Sequence, residues 1–309
     1  MYSLLTYGDS SNVARSGLDV GGTVFDILKA ADALGKELPG YRAIDIVRDW
    51  VNSEGLMSLL AETAAAGKLK AAEVGPRDGI KLKAPLLYPN TLFMAGSNYG
   101  AHSREMAGGA GYDKTTRRPY FFIKLARQGV IGPGEAIRLP HTSKQVDWEV
   151  ELAVVIGRPA RNVKARDALK YVAGYTICHD VSLRDIGHRK DWPQWERDWI
   201  MHKSCDTGAP MGPVMVPAAF VPDPQKLYLK TWINDELQQD SNTDDMTFKI
   251  DEQIEFLSEH FTLLPGDVIS TGTPSGVGRP RGIFLKPGDT VRMEIESIGT
   301  IVNPVVQGD

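Results

Sequence analysis

The run Val146-Asp-Trp-Glu-Val-Glu-Leu-Ala-Val-Val-Ile156 sets three carboxylates at alternate positions. On an extended strand, alternate side chains share a face. Trp148, Val150 and Leu152 then point into a core, and Asp147, Glu149 and Glu151 stand together on the other side, successive carboxylates roughly 7 Å apart. A solvated strand face is the plain alternative, because water screens such a row at little cost. The continuation Leu152 to Ile156 argues against it, being apolar on both faces, as a strand entering a buried sheet must be. The acidic face is therefore expected to look into a cleft. Carboxylates clustered there either share protons or hold a hard cation, and oxygen-only donors favour Mg²⁺ or Mn²⁺, with Ca²⁺ as a further option, over zinc. Asp180, at the end of the strand-like Tyr171-Val-Ala-Gly-Tyr-Thr-Ile-Cys-His-Asp180, is the candidate third ligand.

Elements able to position these groups are legible along the rest of the chain. Short β-rich runs punctuated by Gly and Pro begin near Thr91: Leu92 to Ala95, Tyr120 to Lys124, Val146 to Ile156, Tyr171 to Cys178, Leu227 to Ile233, Val268 to Ser270 and Thr290 to Ile295. One helix, Asp251 to His260, interrupts them. Strands do not alternate regularly with crossover helices, which disfavours a doubly wound parallel sheet. The first 85 residues have a different texture: a strand-like start, then helical patterns at Thr23 to Leu34 and Tyr41 to Ala66. In the second pattern Ile44, Val47, Val51, Leu56, Leu59 and Leu60 recur at three- and four-residue spacings before Gly67. A small N-terminal α/β appendage (1–85) followed by a β-rich α+β domain (86–309) is expected, with Pro85 and Pro89 at the junction.

Composition narrows the function classes. With 309 residues, 42% apolar and 24% charged, the chain is an ordinary globular sequence with ample core. Its 35 basic and 39 acidic side chains leave a net charge of -4, no footprint for nucleic acid. The longest apolar run, Leu152 to Ile156, is far below the roughly 20 residues that cross a bilayer. The first nine residues have no basic segment, no apolar core and no cleavage site, and Cys178 and Cys205 form no disulfide framework, so a cytoplasmic protein is expected.

The same residues carry a resemblance. Asn98-Tyr-Gly-Ala-His102-Ser-Arg-Glu105-Met, Phe122-Ile-Lys124, Asp147-Trp-Glu149-Val-Glu151-Leu, His179-Asp180-Val-Ser-Leu-Arg184-Asp185, Lys203-Ser-Cys-Asp206, Asn234-Asp-Glu-Leu-Gln-Gln-Asp240 and Leu264-Pro-Gly-Asp through Thr271-Gly-Thr273-Pro-Ser-Gly276-Val-Gly278 follow in order. Together they resemble the fumarylacetoacetate hydrolase family. The first 85 residues carry little of this. The resemblance implies a mixed β-sheet fold, a homodimer, and a divalent metal held by Glu149, Glu151 and Asp180. It implies small 2-oxo acid substrates, whose carbon–carbon bonds are cleaved in acylpyruvates and fumarylacetoacetate, with relatives that isomerise or decarboxylate related dioates through a shared enolate.

Within that frame His102 and Glu105, three apart and so on one face of a helical turn, are expected to form a proton-transfer dyad, Glu105 orienting the imidazole. The resemblance places Lys203 facing the metal cleft, where its charge offsets developing negative charge. Lys124 follows the apolar Tyr120-Phe-Phe-Ile123, so it is expected to be buried and paired with an acidic ligand. In the segment from Thr271 to Gly276, Gly272 allows close backbone approach and Thr273 offers a hydrogen bond to a substrate carboxylate. Arg184 is expected to contact substrate. The glycine-containing segment from Ala101 to Arg118 is expected to close over substrate as a lid.

One departure bears on the reaction. Many hydrolytic relatives have a glutamine after the Arg-Asp of the post-ligand segment, helping to hold an oxyanion or water; here Gly187 stands there, followed by His188-Arg189. His188 or Arg189 would have to take its place, or the reaction differs. Trp192, Trp195 and Trp199 follow near the expected cleft mouth. A metal-dependent hydrolase of an acylpyruvate-like diketo acid is the first expectation, an isomerase or decarboxylase of an unsaturated 2-oxo dioate the second, and a non-catalytic metal-stabilised binding protein the third.

Overall fold

The computed structural model describes residues 1–309 except Ala110, Tyr112, Glu196 and Asp309. Its centre is the strand Val150–Ile156, buried at every position, as the two-sided apolar run requires. That strand pairs antiparallel with Val172–His179 on one side and Val268–Ser270 on the other. Among the described residues, twelve strands join this sheet, most of them antiparallel, with Leu92–Ala95 parallel to Val268–Ser270 and Phe121–Lys124 at one edge. A five-stranded sheet, containing Tyr228–Ile233, Thr290–Ile295 and Gly299–Gln307, lies apart from it. No doubly wound sheet forms, and the mixed, β-rich fold matches the expectation.

Alternation along the central strand divides the core between two layers. Leu152, Val154 and Ile156 belong to one apolar cluster with Leu229, Met293 and Ile295 of the five-stranded sheet. Ala153 and Val155 belong to a second cluster with Ile44, Val47, Trp50, Met57 and Leu60 of the N-terminal helices. The large sheet is therefore sandwiched between a smaller sheet and a helical layer. Residues 1–85 extend the same sheet: Ser3–Gly8 pairs with Ala209–Pro217 through Leu4 and Met215, and with Leu82–Lys83, while the Thr6 hydroxyl donates to the Pro85 carbonyl at 2.9 Å. The expected junction is a change of sequence texture within one continuous sheet and core.

Three local expectations are corrected. Thr23–Asp26, read as helical, is a strand, and Asp26 caps the helix Ile27–Ala33 by accepting from Lys29 N at 2.9 Å. Its Thr-Val-Phe run favours the pleated conformation. The Tyr41 to Ala66 pattern breaks at Asp49 into helices Ala43–Arg48 and Trp50–Ala65. The break resets the helical phase, so Trp50, Met57 and Leu60 are buried while Val51 and Leu59 face solvent. Val146 to Ile156 is two strands in one register: Val146–Asp147 pairs with Ser182–Leu183, and Val150–Ile156 continues the same antiparallel ladder with Val172–His179 after a break in strand pairing at Trp148-Glu149. Helix Ile250–His260 and the positive φ of Gly67, which closes the helix before it, stand as read. Cys178 and Cys205 are both free thiols. Among the described residues no helix is long and apolar enough to cross a membrane.

Candidate active site

Glu149 and Glu151 flank the start of the central strand, and Asp180 follows the end of its antiparallel neighbour. The register opposes Glu151 to Cys178, and Asp180 N donates to the Glu149 carbonyl at 3.0 Å, which carries Asp180 back toward both glutamates. One carboxylate oxygen from each of the three lies within 4.8 Å of the others, and all three residues are buried. Asp147 does not join them. It lies further along the same ladder, opposite Ser182, and accepts from Arg184 Nε at 2.8 Å, Gly278 N at 2.6 Å and Arg279 N at 3.1 Å.

Buried carboxylates need compensating charge, and the chain supplies most of it. Lys203 Nζ lies 2.8 Å from Glu149 Oε2, 2.7 Å from Asp180 Oδ2 and 2.6 Å from Ser182 Oγ. Lys124 Nζ lies 2.8 Å from Asp180 Oδ1, the pairing expected of it. Arg184 bridges Asp147 and Glu149. Burial works to raise the Glu149 carboxyl, but Lys203 and Arg184 outweigh it and hold that carboxyl well below the usual range. Glu151 is the exception. Its Oε2 accepts from Gly272 N at 2.9 Å, and burial, followed by repulsion from Asp180 and Glu149, pushes its carboxyl well above the usual range.

Four carboxylates (Asp147, Glu149, Glu151, Asp180) thus face three cations (Lys124, Arg184, Lys203). The deficit of positive charge sits at Glu151, beside the three converging oxygens. An oxygen-only donor set short of positive charge fits a hard divalent cation. Gly272 serves this centre: with φ at +97° and a would-be Cβ 2.8 Å from Asn98 Cβ, only glycine presents its N–H to Glu151 without displacing Asn98.

Glu149 and Glu151 open onto a cavity of about 630 Å³ whose walls include His102, Arg184, Lys203 and Thr273. Glu105 stays behind the wall, accepting from Gly276 N at 3.1 Å, while His102 Nδ1 is 3.6 Å from Glu105 Oε2. The dyad shares a face of the helix Gly100–Ala107, as its spacing predicts, at a separation longer than a hydrogen bond. Lys124, Asp180 and Gly272 act from beneath the floor. Arg184 reaches the cavity but spends its donors on Asp147 and Glu149. Thr273 Oγ1 accepts from Gln239 Nε2 at 2.9 Å.

His188, expected at the substrate, is exposed and absent from the cavity wall, and Arg189 pairs with Asp191 and Asp198. The turn after Arg184 directs both outward. The wall instead holds His202, Arg197 and Arg279, which the sequence reading passed over; His202 adjoins Lys203, and that adjacency was the available signal. Trp199 is in the wall, stacked on Phe122 at 5.0 Å, whereas Trp192 and Trp195 are exposed beside it. From the expected lid, Met106, Ala107, Lys114, Arg117 and Arg118 line the cavity, and Ala110 and Tyr112 lie outside the described residues.

Comparison with known proteins agrees with this geometry. The family model for the fumarylacetoacetate (FAA) hydrolase C-terminal region matches residues 91–306. A mitochondrial oxaloacetate tautomerase of Rattus norvegicus is 41% identical over 233 residues, covering 75% of this chain and 71% of its own. One of Bos taurus is 43% identical over the same shares. Among solved structures, a putative HpcE protein from Mycobacterium smegmatis superposes with a TM-score of 0.80 at 33% identity, over 100% of both chains. Maleylpyruvate hydrolase from Sphingobium sp. SYK-6, in complex with manganese(II) and pyruvate, gives 0.76 at 30% identity, again over 100% of both. With its acidic triad, the order of its motifs and this likeness along the whole chain, the protein belongs to the fumarylacetoacetate hydrolase family.

Proposed function

We propose that the chain is a divalent-metal-dependent enzyme that interconverts the keto and enol forms of a small 2-oxo dicarboxylate. One observation carries this reading: the buried triad opens onto a cavity whose walls, among the described residues, add Arg118, Arg197 and Arg279 to the Arg184 and Lys203 already paired with the acidic cluster, and no acidic side chain beyond Glu149 and Glu151. Such a surplus of positive charge suits a dianion. The identity to proteins named oxaloacetate tautomerases points the same way. The absence of a side chain at Gly187 weakens the hydrolytic alternative.

Glu149, Glu151 and Asp180 would hold the divalent ion, which would supply Lewis acidity toward the negative charge that develops on a 2-oxo acid. The chain's own residues do the rest. Lys203, fixed by Glu149, Asp180 and Ser182, sets a positive charge beside the developing negative one. His102 moves a proton to or from the carbon next to the carbonyl, with the Glu105 carboxylate 3.6 Å from its Nδ1; the proton lost by the enol hydroxyl balances the one gained at carbon. Arginines at the rim hold the second carboxylate.

A second reading, hydrolysis of a carbon–carbon bond in an acylpyruvate, draws on the His102 and Glu105 pair and on the similarity to maleylpyruvate hydrolase. A homodimer accompanies either reading. The deciding experiment adds Mg²⁺-loaded protein to enol-oxaloacetate and, separately, to an acylpyruvate. Accelerated loss of enol absorbance without bond cleavage is expected. Pyruvate release from the acylpyruvate with no effect on enol-oxaloacetate would overturn the tautomerase reading.

A further inference from the structure

One buried side chain in the cavity wall has no task in that mechanism. His202 is 2% exposed, lines the cavity, and finds no hydrogen-bond partner for either ring nitrogen among the described residues. Burying an imidazole in this way is costly unless something arrives to pair with it. Its position is nevertheless held firmly. Trp199 stacks on the ring at 5.6 Å and 17°, and stacks in turn on Phe122. His202 N donates to the Asp198 carbonyl at 2.9 Å, and Asp198 N donates to the Gly187 carbonyl at 2.8 Å.

Gly187 is the other half of the arrangement. A Cβ there would fall 2.8 Å from His202 Cβ and Cγ and 2.9 Å from Nδ1, so a side chain at 187 and the imidazole at 202 compete for one space. This chain has no side chain at 187, and an imidazole from the short helix Trp199–Lys203 takes the room. Burial, and then the charges of Lys203, Arg184 and Arg197, lower that imidazole's pKa and favour its neutral form. A neutral imidazole always retains one N–H donor.

We propose that His202 is a further substrate-contacting residue, its neutral ring donating an N–H to an anionic oxygen of the bound oxo acid in the space that Gly187 leaves open. The identity of the acid rests on the function proposed above; the contact itself does not. The donor resembles in kind the side-chain groups that stabilise oxyanions elsewhere, acting without net charge.

The test has a binding arm and a kinetic arm. Protein with ¹⁵N-labelled histidine is loaded with Mg²⁺ and titrated with 3,3-difluorooxaloacetate, which cannot enolise; His202 signals are assigned by their loss in His202→Gln. A shift of the His202 ring signals, with the neutral pattern retained, is expected. Unmoved ring signals on a protein that binds the compound overturn the proposal, whatever the variants do. In the kinetic arm, His202→Phe keeps an aromatic stack without a donor and is expected to lower kcat/KM with oxaloacetate at least tenfold. His202→Gln is expected to recover part of that loss, and so is the double exchange Gly187→Gln with His202→Gly, relative to His202→Gly alone. His202→Phe with wild-type kcat/KM overturns the proposal. If wild-type protein leaves enol-oxaloacetate untouched, the tautomerase reading fails by itself and the binding arm still decides the role of His202.

Discussion

Asp147 Oδ2 accepts from Arg184 Nε at 2.8 Å, with both side chains buried, and this pair joins the acidic floor of the cavity to the loop that follows Thr271. Asp147 also holds the amides of Gly278 and Arg279, and Arg184 also holds Glu149. Removing Asp147's charge leaves Arg184 to Glu149 alone and weakens the hold on the Gly278 and Arg279 amides, at a cost of up to about 3–5 kcal/mol. Asp147→Asn is therefore expected to unfold at markedly lower temperature and to bind Mg²⁺ more weakly. Calorimetry and metal titration check this; an unchanged Tm would show that Asp147 does not bear the charge of Arg184.

Glu151→Gln should behave in the opposite sense. Glu151 is the carboxylate for which the buried cluster has no cation, so its loss leaves three carboxylates against three cations. The metal-free variant is expected to be at least as stable as wild type. Saturating Mg²⁺ should raise the Tm of wild type, by about 2.7 kcal/mol of stabilisation at a hundred times Kd, and leave the variant unmoved. A variant that unfolds at lower temperature without metal would refute the charge account.

Arg279 is placed to read the far end of a dicarboxylate. Its side chain lines the cavity wall, and burial, then repulsion from Arg184 and Arg197, lowers its pKa despite attraction from Asp147. An anion relieves that crowding. Arg279→Ala is expected to raise KM for a 2-oxo dicarboxylate by about 10- to 100-fold, the worth of a charged hydrogen bond, and to change inhibition by pyruvate much less. Equal effects on both ligands would place Arg279 outside the recognition of the second carboxylate.

Acid should destabilise the fold partly through His202. The folded-state pKa is depressed to about 2 from an ordinary value near 6.5, so below pH 6.5 the unfolded chain takes up a proton that the native one refuses. The stability contributed by the neutral ring is complete above pH 6.5 and falls as pH drops toward 2. Between pH 6.5 and 5.0 the loss is about 2 kcal/mol. Denaturant titrations of wild type and His202→Phe across that interval should differ in slope by this amount; parallel curves would contradict it.

Substrate analogue should order the rim. Amides in helix Gly100–Ala107 and in residues 113–118 are expected to exchange at least several-fold more slowly when difluorooxaloacetate and Mg²⁺ are bound. Exchange unaltered by the ligand pair would remove the lid from the mechanism.

Much of the site was legible along the chain because it obeys local rules. Alternation put Glu149 and Glu151 on one face, the two-sided apolar run Leu152 to Ile156 placed them at the mouth of a buried strand, and the three-residue spacing set His102 and Glu105 on one helical face. Patterns of this kind depend on backbone geometry alone. Other features depend on partners distant in sequence. Ala209–Pro217 contains three prolines and reads poorly as a strand, yet it pairs with both Ser3–Gly8 and Val172–His179; Glu236–Asn242 is polar and forms only by pairing with Tyr228–Ile233. The phase slip at Asp49 appears only when Trp50 finds its core. Whether Asp147 belonged with the acidic triad or with Arg184, and whether His188 or His202 faced the cavity, turned on which distant groups the fold brings beside each of them. The contacts of Asp147 and Glu149 bury charge and polar groups against partners 35 to 131 residues away, for which no local periodicity exists.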